Sequence, residues 1–281
     1  MTTGREVAVV TGAASGFGRA LTEEFAQRGM DVVLLDRDGG RAEEAAAALA
    51  AAHGVDALGM GVDVADAAQV DGAAAAVSER FGHADVVVSN VGVQLFGAVE
   101  RLTDAEWTWV LDVNIVGAVR TVRAFLPLLR RAPEPRLAFT TSSSVLSPGS
   151  RLGVYQASKF AVWGLAETLR LELADDGVAV SVVFPSGMVS RHLETSAEAQ
   201  PEHLRRAIGE AEDFEAMVAS NPDMASSLAT PEEAAASVAD AVLAGEPYVI
   251  THGDLVDAVV ARETALRRAA EVARDGSAEG G

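Results

Sequence analysis

Val7-Ala8-Val9-Val10-Thr11-Gly12-Ala13-Ala14-Ser15-Gly16-Phe17-Gly18 is the stretch whose reading decides the architecture. Its apolar, partly β-branched start reads as a short buried strand. Three glycines then make a sharp turn, and an amphipathic helix follows near residues 17–28. Glycine in such a turn lets the backbone come against a pyrophosphate, with the helix N-terminal amides and dipole aimed at its charge. The spacing is G-x-x-x-G-x-G rather than the G-x-G-x-x-G of other dinucleotide enzymes.

Outward from this unit the same alternation continues. Strands are expected near 6–11, 31–36, 55–61, 84–89, 136–141, 178–184 and 247–251, and helices near 17–28, 40–53, 66–80, 104–130, 154–176 and 231–244. Short β-branched runs separated by alanine-rich helices imply an α/β fold, with helices on both faces of a doubly wound, Rossmann-type, seven-stranded parallel sheet. Ligands of such sheets sit beyond the carboxyl ends of the strands. The alternation breaks at about 190–229, an acidic segment carrying Leu193, Leu204, Ile208, Phe214, Met217, Met224 and Leu228. So long a connection reads as a helical substrate lid, the alternative being an exposed insertion for oligomer contacts. Residues 1–281 read as one domain, with a disordered tail at about 275–281.

Composition narrows the function. A formal charge of −19 opposes encounter with a nucleic-acid backbone or an anionic membrane. The absence of cysteine excludes disulfides, thiolate nucleophiles and cysteine-ligated metals. The apolar run at the N-terminus is too short for a signal peptide and no run reaches the roughly 18 residues of a membrane span, so a soluble cytoplasmic protein is expected. His53, His83, His192, His203 and His252 lack metal-ligand spacing, and no metal site is expected. Of these, His192 and His252 are candidates for the substrate mouth, with solvated loop histidines as the plainer reading. Trp107 and Trp109 read as core or subunit contact, and Thr230-Pro231 as a helix start.

Asp36 ends the second strand, where a carboxylate accepts hydrogen bonds from an adenosine ribose diol and repels a 2′-phosphate. This favours NAD over NADP, although Arg37 next to it can pair with that phosphate. Asp63-Val64 and Ser89-Asn90-Val91-Gly92, at the next two strand ends, are candidates for the adenine pocket and the wall beneath the cofactor. Tyr155 and Lys159 stand four apart on an expected helix, so phenol and ammonium share a face and the cation favours the phenolate.

In this order the motifs resemble the classical short-chain dehydrogenase/reductase family from about Val7 to Thr251. The matches are Thr11 to Gly18, Asp63-Val64, Asn90 with Gly92, Asn114, a serine thirteen residues before the tyrosine, Tyr155-x-x-x-Lys159 and Pro185. The resemblance implies a tetrad of Asn114, Ser142, Tyr155 and Lys159. Tyr155 would be the general acid/base, and Ser142, with Ser143 as the alternative, would hold the substrate oxygen. Lys159 would bind the nicotinamide ribose and lower the tyrosine pKa; work near neutrality needs a shift of roughly two to three units, about 3–4 kcal/mol, supplied by that ammonium together with the positive nicotinamide ring of the oxidised cofactor. Asn114 would kink its helix and carry a relay water. Ser15, Phe17, Gly187, Val189 and Ser190 would join the cofactor contacts.

Departures from the family pattern are Ser89, Val91 and Ser186, the last in place of a glycine. The implied reaction is hydride transfer between NAD(H) and an apolar, bulky secondary alcohol or ketone in a pocket completed by Val93, Gln94, Leu95, Leu146, Leu152 and Met188. The runs Met188–Leu193 and Ile250-Thr251-His252 are similar to those of relatives that oxidise aromatic, benzylic alcohols. An NADP(H)-dependent carbonyl reductase and a catalytically silent cofactor sensor are the alternatives. The resemblance also implies a homotetramer or dimer built on the helices at 104–130 and 154–176.

Overall fold

The computed structural model describes residues 4–205, 211–220 and 228–278. Seven strands form one all-parallel sheet in the order β3-β2-β1-β4-β5-β6-β7. They are β1 (Val7–Thr11), β2 (Asp31–Asp36), β3 (Ala57–Gly61), β4 (Val86–Ser89), β5 (Arg136–Thr140), β6 (Ala179–Phe184) and β7 (Tyr248–Ile250). The connecting helices are α1 (Gly16–Gln27), α2 (Gly39–His53), α3 (Ala67–Arg80), α4 (Asp104–Leu111), α5 (Gly117–Leu129), α6 (Gly153–Glu172), α7 (His192–Ala199), α8 (Ala211–Ala219) and α9 (Pro231–Leu243). A further helix, α10 (Val256–Ala278), follows β7.

Alternate residues of each strand face opposite layers, and both layers are apolar. Val7, Val9, Val33, Val87, Leu137 and Val182 pack under α3, α5 and α6, against Val77, Phe125 and Val162. Ala8, Val10, Val32, Val86, Ala138 and Val183 face α1, α2 and α9, against Phe25, Leu49 and Val238. Burial on both faces explains why β1 reads as an unbroken apolar run instead of an alternating one. The strand order reverses between β1 and β4, which opens a crevice above their carboxyl ends.

Helix starts follow side-chain chemistry. Asp66 accepts from the Ala68 and Gln69 amides, while Thr103 with Glu106 and Thr230 with Glu233 form reciprocal capping boxes. Pro231 fills the first position of α9, as its sequence implies.

Three expectations change. The helix read at 104–130 is interrupted by a π-helical turn over Asp112–Val116, with Asn114 in its middle. The chain is helical through Ala278, into the stretch read as a disordered tail, and residues 279–281 lie outside the described residues. Within the 190–229 segment α7 and α8 are helical as expected, a 3₁₀ turn covers Glu202–Leu204, and Ile208 and Met224 lie outside the described residues. No described helix is long and apolar enough to cross a membrane.

Candidate active site

Above the carboxyl ends of the strands lies one continuous cleft of about 1650 Å³. Its floor begins at the first turn, where Gly12 and Gly16 have φ of 66° and 54°. Gly18 is held so close to the strand end that a Cβ there would stand 2.2 Å from the Gly12 carbonyl oxygen. Only glycine permits that approach, which seats the first turn of α1 directly on the end of β1, with Ser15, Gly16 and Phe17 lining the cleft.

Asp36 closes one side. Its carboxylate accepts from the Ala14 amide at 3.0 Å and the Asp38 amide at 3.0 Å, which ties the end of β2 to the glycine turn. Asp63 accepts from the Ala65 amide at 2.9 Å, and Val64 packs on Gly117. Asn90 laces the wall: its amide nitrogen donates to the Thr11 carbonyl at 3.0 Å, and its oxygen accepts from the Thr140 hydroxyl at 3.0 Å.

The far end carries the reactive groups. Tyr155 and Lys159 lie one turn apart on α6 and both line the cleft while almost wholly covered, at 6% and 2% exposure. The side chains of Ser142 and Gln94 face the Tyr155 hydroxyl, and both favour its ionised form. It is thus Ser142, and not Ser143, that meets the phenol. The Lys159 ammonium donates to the Thr140 carbonyl at 3.0 Å and stands 5.8 Å from the centroid of the Tyr155 ring. Asn114 is buried behind them. Its oxygen accepts from the Val93 amide at 2.7 Å, and its nitrogen donates to the Val93 carbonyl at 3.0 Å and the Ser158 hydroxyl at 2.9 Å.

Burial dominates the electrostatics of the pair in the cofactor-free cleft. Burial pushes the Tyr155 phenol up to about 12, against the opposing pull of Ser142 and Gln94. Burial alone brings Lys159 down to about 8. Desolvation of the phenolate is the largest influence on the phenol in the cofactor-free cleft, where the ammonium turns toward a backbone carbonyl. His192, partly exposed at the cleft surface yet densely surrounded by protein, falls to about 4 through burial and the Lys159 charge.

Other assignments divide. Gln94, Leu152 and Met188 line the cleft, as do Ser15, Phe17, Arg37, Val91, Pro185, Gly187 and Ser190. Leu95 and Leu146 do not: both are buried in the main core, because the loop after Gln94 turns its next side chain inward. Val189 is 64% exposed and points away, its amide bound to the Ala229 carbonyl in a bridge between the Met188 and Ala229 segments. Ser186 gains a tether that glycine lacks, its hydroxyl donating to the His252 carbonyl at 2.7 Å. The His252 ring pairs with the Gly187 carbonyl at 2.9 Å, so His252 braces the Pro185–Gly187 turn.

The sequence reading missed Phe96, Trp109, Val113 and Leu255 in the lining. Trp109 was read as core or subunit contact, and Val113, four residues on in the π-helical turn, both lines the cleft and joins the core.

The short chain dehydrogenase family profile matches residues 6–201, 196 of the 281 residues. The chain belongs to the short-chain dehydrogenase/reductase family. A short-chain dehydrogenase/reductase from Burkholderia phymatum, solved in complex with NAD, is 31% identical, with a TM-score of 0.84 over 95% of this chain and 96% of that one. The short-chain reductase protein NovJ of Streptomyces niveus is 33% identical over 83% of this chain and 85% of its own length. An alcohol dehydrogenase from the archaeon Thermococcus sibiricus, complexed with 5-hydroxy-NADP, is 27% identical, with a TM-score of 0.72 over 87% and 95% of the two chains. The chain is thus a short-chain dehydrogenase/reductase with relatives solved on both dinucleotides.

The residues present fit a dinucleotide. Gly12 and Gly16 supply the positive φ of the turn that lines the cleft, and two buried polar atoms of the lining, Ser144 Oγ and Gln200 Nε2, have no protein partner. A buried polar atom without a partner is costly, and a ligand in the cleft is one way to satisfy it.

Proposed function

We propose that this protein transfers a hydride between NAD(H) and an apolar, fairly bulky secondary alcohol or ketone. The observation that carries the reading is the meeting of Tyr155, Ser142 and Lys159 at one end of a cleft whose other end is the glycine turn and Asp36. When bound, the dinucleotide supplies the hydride donor or acceptor. Gly12 to Gly18 would hold its pyrophosphate, Asp36 its adenosine ribose, Lys159 its nicotinamide ribose, and Ser190 its carboxamide. The full carboxylate at Asp36 supports NAD over NADP.

The chain's own groups manage the proton. A phenol near 12 is protonated at neutral pH, the form that donates to a carbonyl oxygen as that oxygen gains negative charge. Ser142 donates to the same oxygen and keeps it within reach of the phenol. In the oxidative direction Tyr155 must first lose its proton. Lys159, still mostly protonated at neutral pH, and the positive charge of the oxidised cofactor both favour that loss. Asn114 holds the loop after Gly92 and the Ser158 hydroxyl, and so acts as a positioning residue.

The apolar part of the cavity supports the substrate class: Phe96, Leu152, Met188, Leu193, Phe214 and Met217 surround its reactive end. The 190–229 segment is its lid in this reading. One anchor of α8 is Asp213, buried and paired with Arg101 at 2.5 Å and Arg151 at 3.3 Å. Exposed Phe160 and Leu171 on α6 support assembly as a homo-oligomer, which light scattering tests. The function is tested with a panel of secondary alcohols and their ketones against NAD(H). Turnover of apolar, bulky members supports the reading, and turnover of small polar ones alone contradicts the substrate class.

A further inference from the structure

Arg37 follows the carboxylate that would receive the adenosine ribose, and in sequence it reads as a possible receptor for a 2′-phosphate. Its guanidinium is engaged elsewhere. It donates to the Glu198 carbonyl at 2.9 Å and to the Ala199 carbonyl at 3.1 Å, the last two carbonyls of α7. Carbonyls at a helix C-terminus lack partners within the helix and carry its negative dipole end, so a guanidinium fork suits them in geometry and charge.

The same helix reaches the reaction end of the cleft. Ser196, in the middle of α7, accepts the Gln94 amide at 3.0 Å, and Gln94 lines the cleft beside Tyr155. Leu193, one turn earlier, packs on the cluster formed by Phe96, Leu152, Tyr155 and Met217. One short helix therefore spans the cleft, fastened at the adenosine end by Arg37 and touching the loop that positions the phenol at the other.

We propose that Arg37 is a clasp that fastens α7 over the cofactor cleft, and that it couples cofactor choice to the shape of the reaction site. The coupling rests on the dinucleotide reading above; the clasp does not. A cofactor with a free 2′-hydroxyl leaves the clasp shut. A 2′-phosphate is a stronger acceptor for a guanidinium than two neutral carbonyls, so it would draw Arg37 away and release the end of α7. NADP would then meet two obstacles, repulsion by Asp36 and loosening of the helix that backs Gln94.

The experiment is amide hydrogen exchange across residues 192–199 in the full chain. In the ligand-free protein, Arg37→Ala is expected to speed exchange in this helix about tenfold, and Arg37→Lys, which cannot fork, less. Unchanged exchange in both variants overturns the clasp, whatever the cofactor. With the parent protein, 5′-ADP is expected to leave exchange in α7 unchanged or slower, and 2′,5′-ADP to make it faster. Equal effects of the two nucleotides overturn the coupling. Binding of neither nucleotide, read in the same samples by calorimetry, overturns the coupling through failure of the dinucleotide reading, and leaves the ligand-free result to judge the clasp alone.

Discussion

The Lys159 ammonium occupies the space beside Gly92: a Cβ at residue 92 would stand 2.7 Å from Nζ and 3.3 Å from Cε. The glycine thus sets the height of the lysine in the cleft, where Nζ donates to the Thr140 carbonyl. Gly92→Ala must push the ammonium aside. Overpacking of this kind costs about 1–3 kcal/mol, and the displaced cation should lower kcat about tenfold or more while the fold persists by circular dichroism. Wild-type kcat in a folded Gly92→Ala protein would show that the lysine's position is not critical.

Gln94 offers a finer probe of the phenol. Its side chain is one of two, with Ser142, that pull the Tyr155 pKa down against burial. Gln94→Leu removes one such influence, worth about 0.5–1.5 kcal/mol, so the acid-side limb of alcohol oxidation, where the rate rises as the phenol ionises, should move to higher pH by up to about one unit. A pH–rate profile with the limb unmoved would place Gln94 outside the proton's surroundings.

Cofactor choice should follow charge at the end of β2. Asp36→Asn removes the repulsion toward a 2′-phosphate but keeps an acceptor oxygen for only one of the Ala14 and Asp38 amides, which now donate to different carboxylate oxygens. We expect the ratio of kcat/KM for NADPH to that for NADH to rise about tenfold, a change of about 1.4 kcal/mol. An unaltered ratio would mean that Asp36 does not face the ribose.

Acid sensitivity should report on His192. Burial and the Lys159 charge depress its pKa from 6.5 to about 4, so the folded state favours the neutral ring. That stabilisation is complete above the unfolded-state value near 6.5 and is lost as pH falls toward 4. Urea midpoints of the parent and His192→Gln should therefore converge, or cross, between these two pH values. A constant difference between them across that range contradicts the lowered pKa of this ring.

What the sequence disclosed, and what it withheld, follows from the range of the forces involved. Strands buried on both faces, glycine turns and capping pairs are local, and the whole sheet, the Gly12–Gly18 turn and the Thr230-Pro231 start were legible for that reason. The Tyr155 and Lys159 pairing was legible through helical spacing, but its electrostatics was not. Whether a cation acidifies a phenol depends on desolvation and on where the ammonium points, and neither is written in an i, i+4 pattern. Leu95 and Leu146 were misplaced because an apolar residue in a loop beside a site looks the same whether it faces ligand or core. The α10 helix was missed because its apolar positions are sparse, with every residue from Glu263 to Asp275 exposed.

The central claim is that the Tyr155 hydroxyl passes the proton in a dinucleotide-bound cleft. Tyr155→Phe removes that oxygen and leaves the ring, and its effect is read as single-turnover oxidation of NADH by a reactive ketone alongside an NADH binding titration. We predict a loss of about 10²–10⁴-fold in the rate with NADH affinity changed less than about threefold. A Tyr155→Phe protein that binds NADH and turns over at the parent rate would contradict the account.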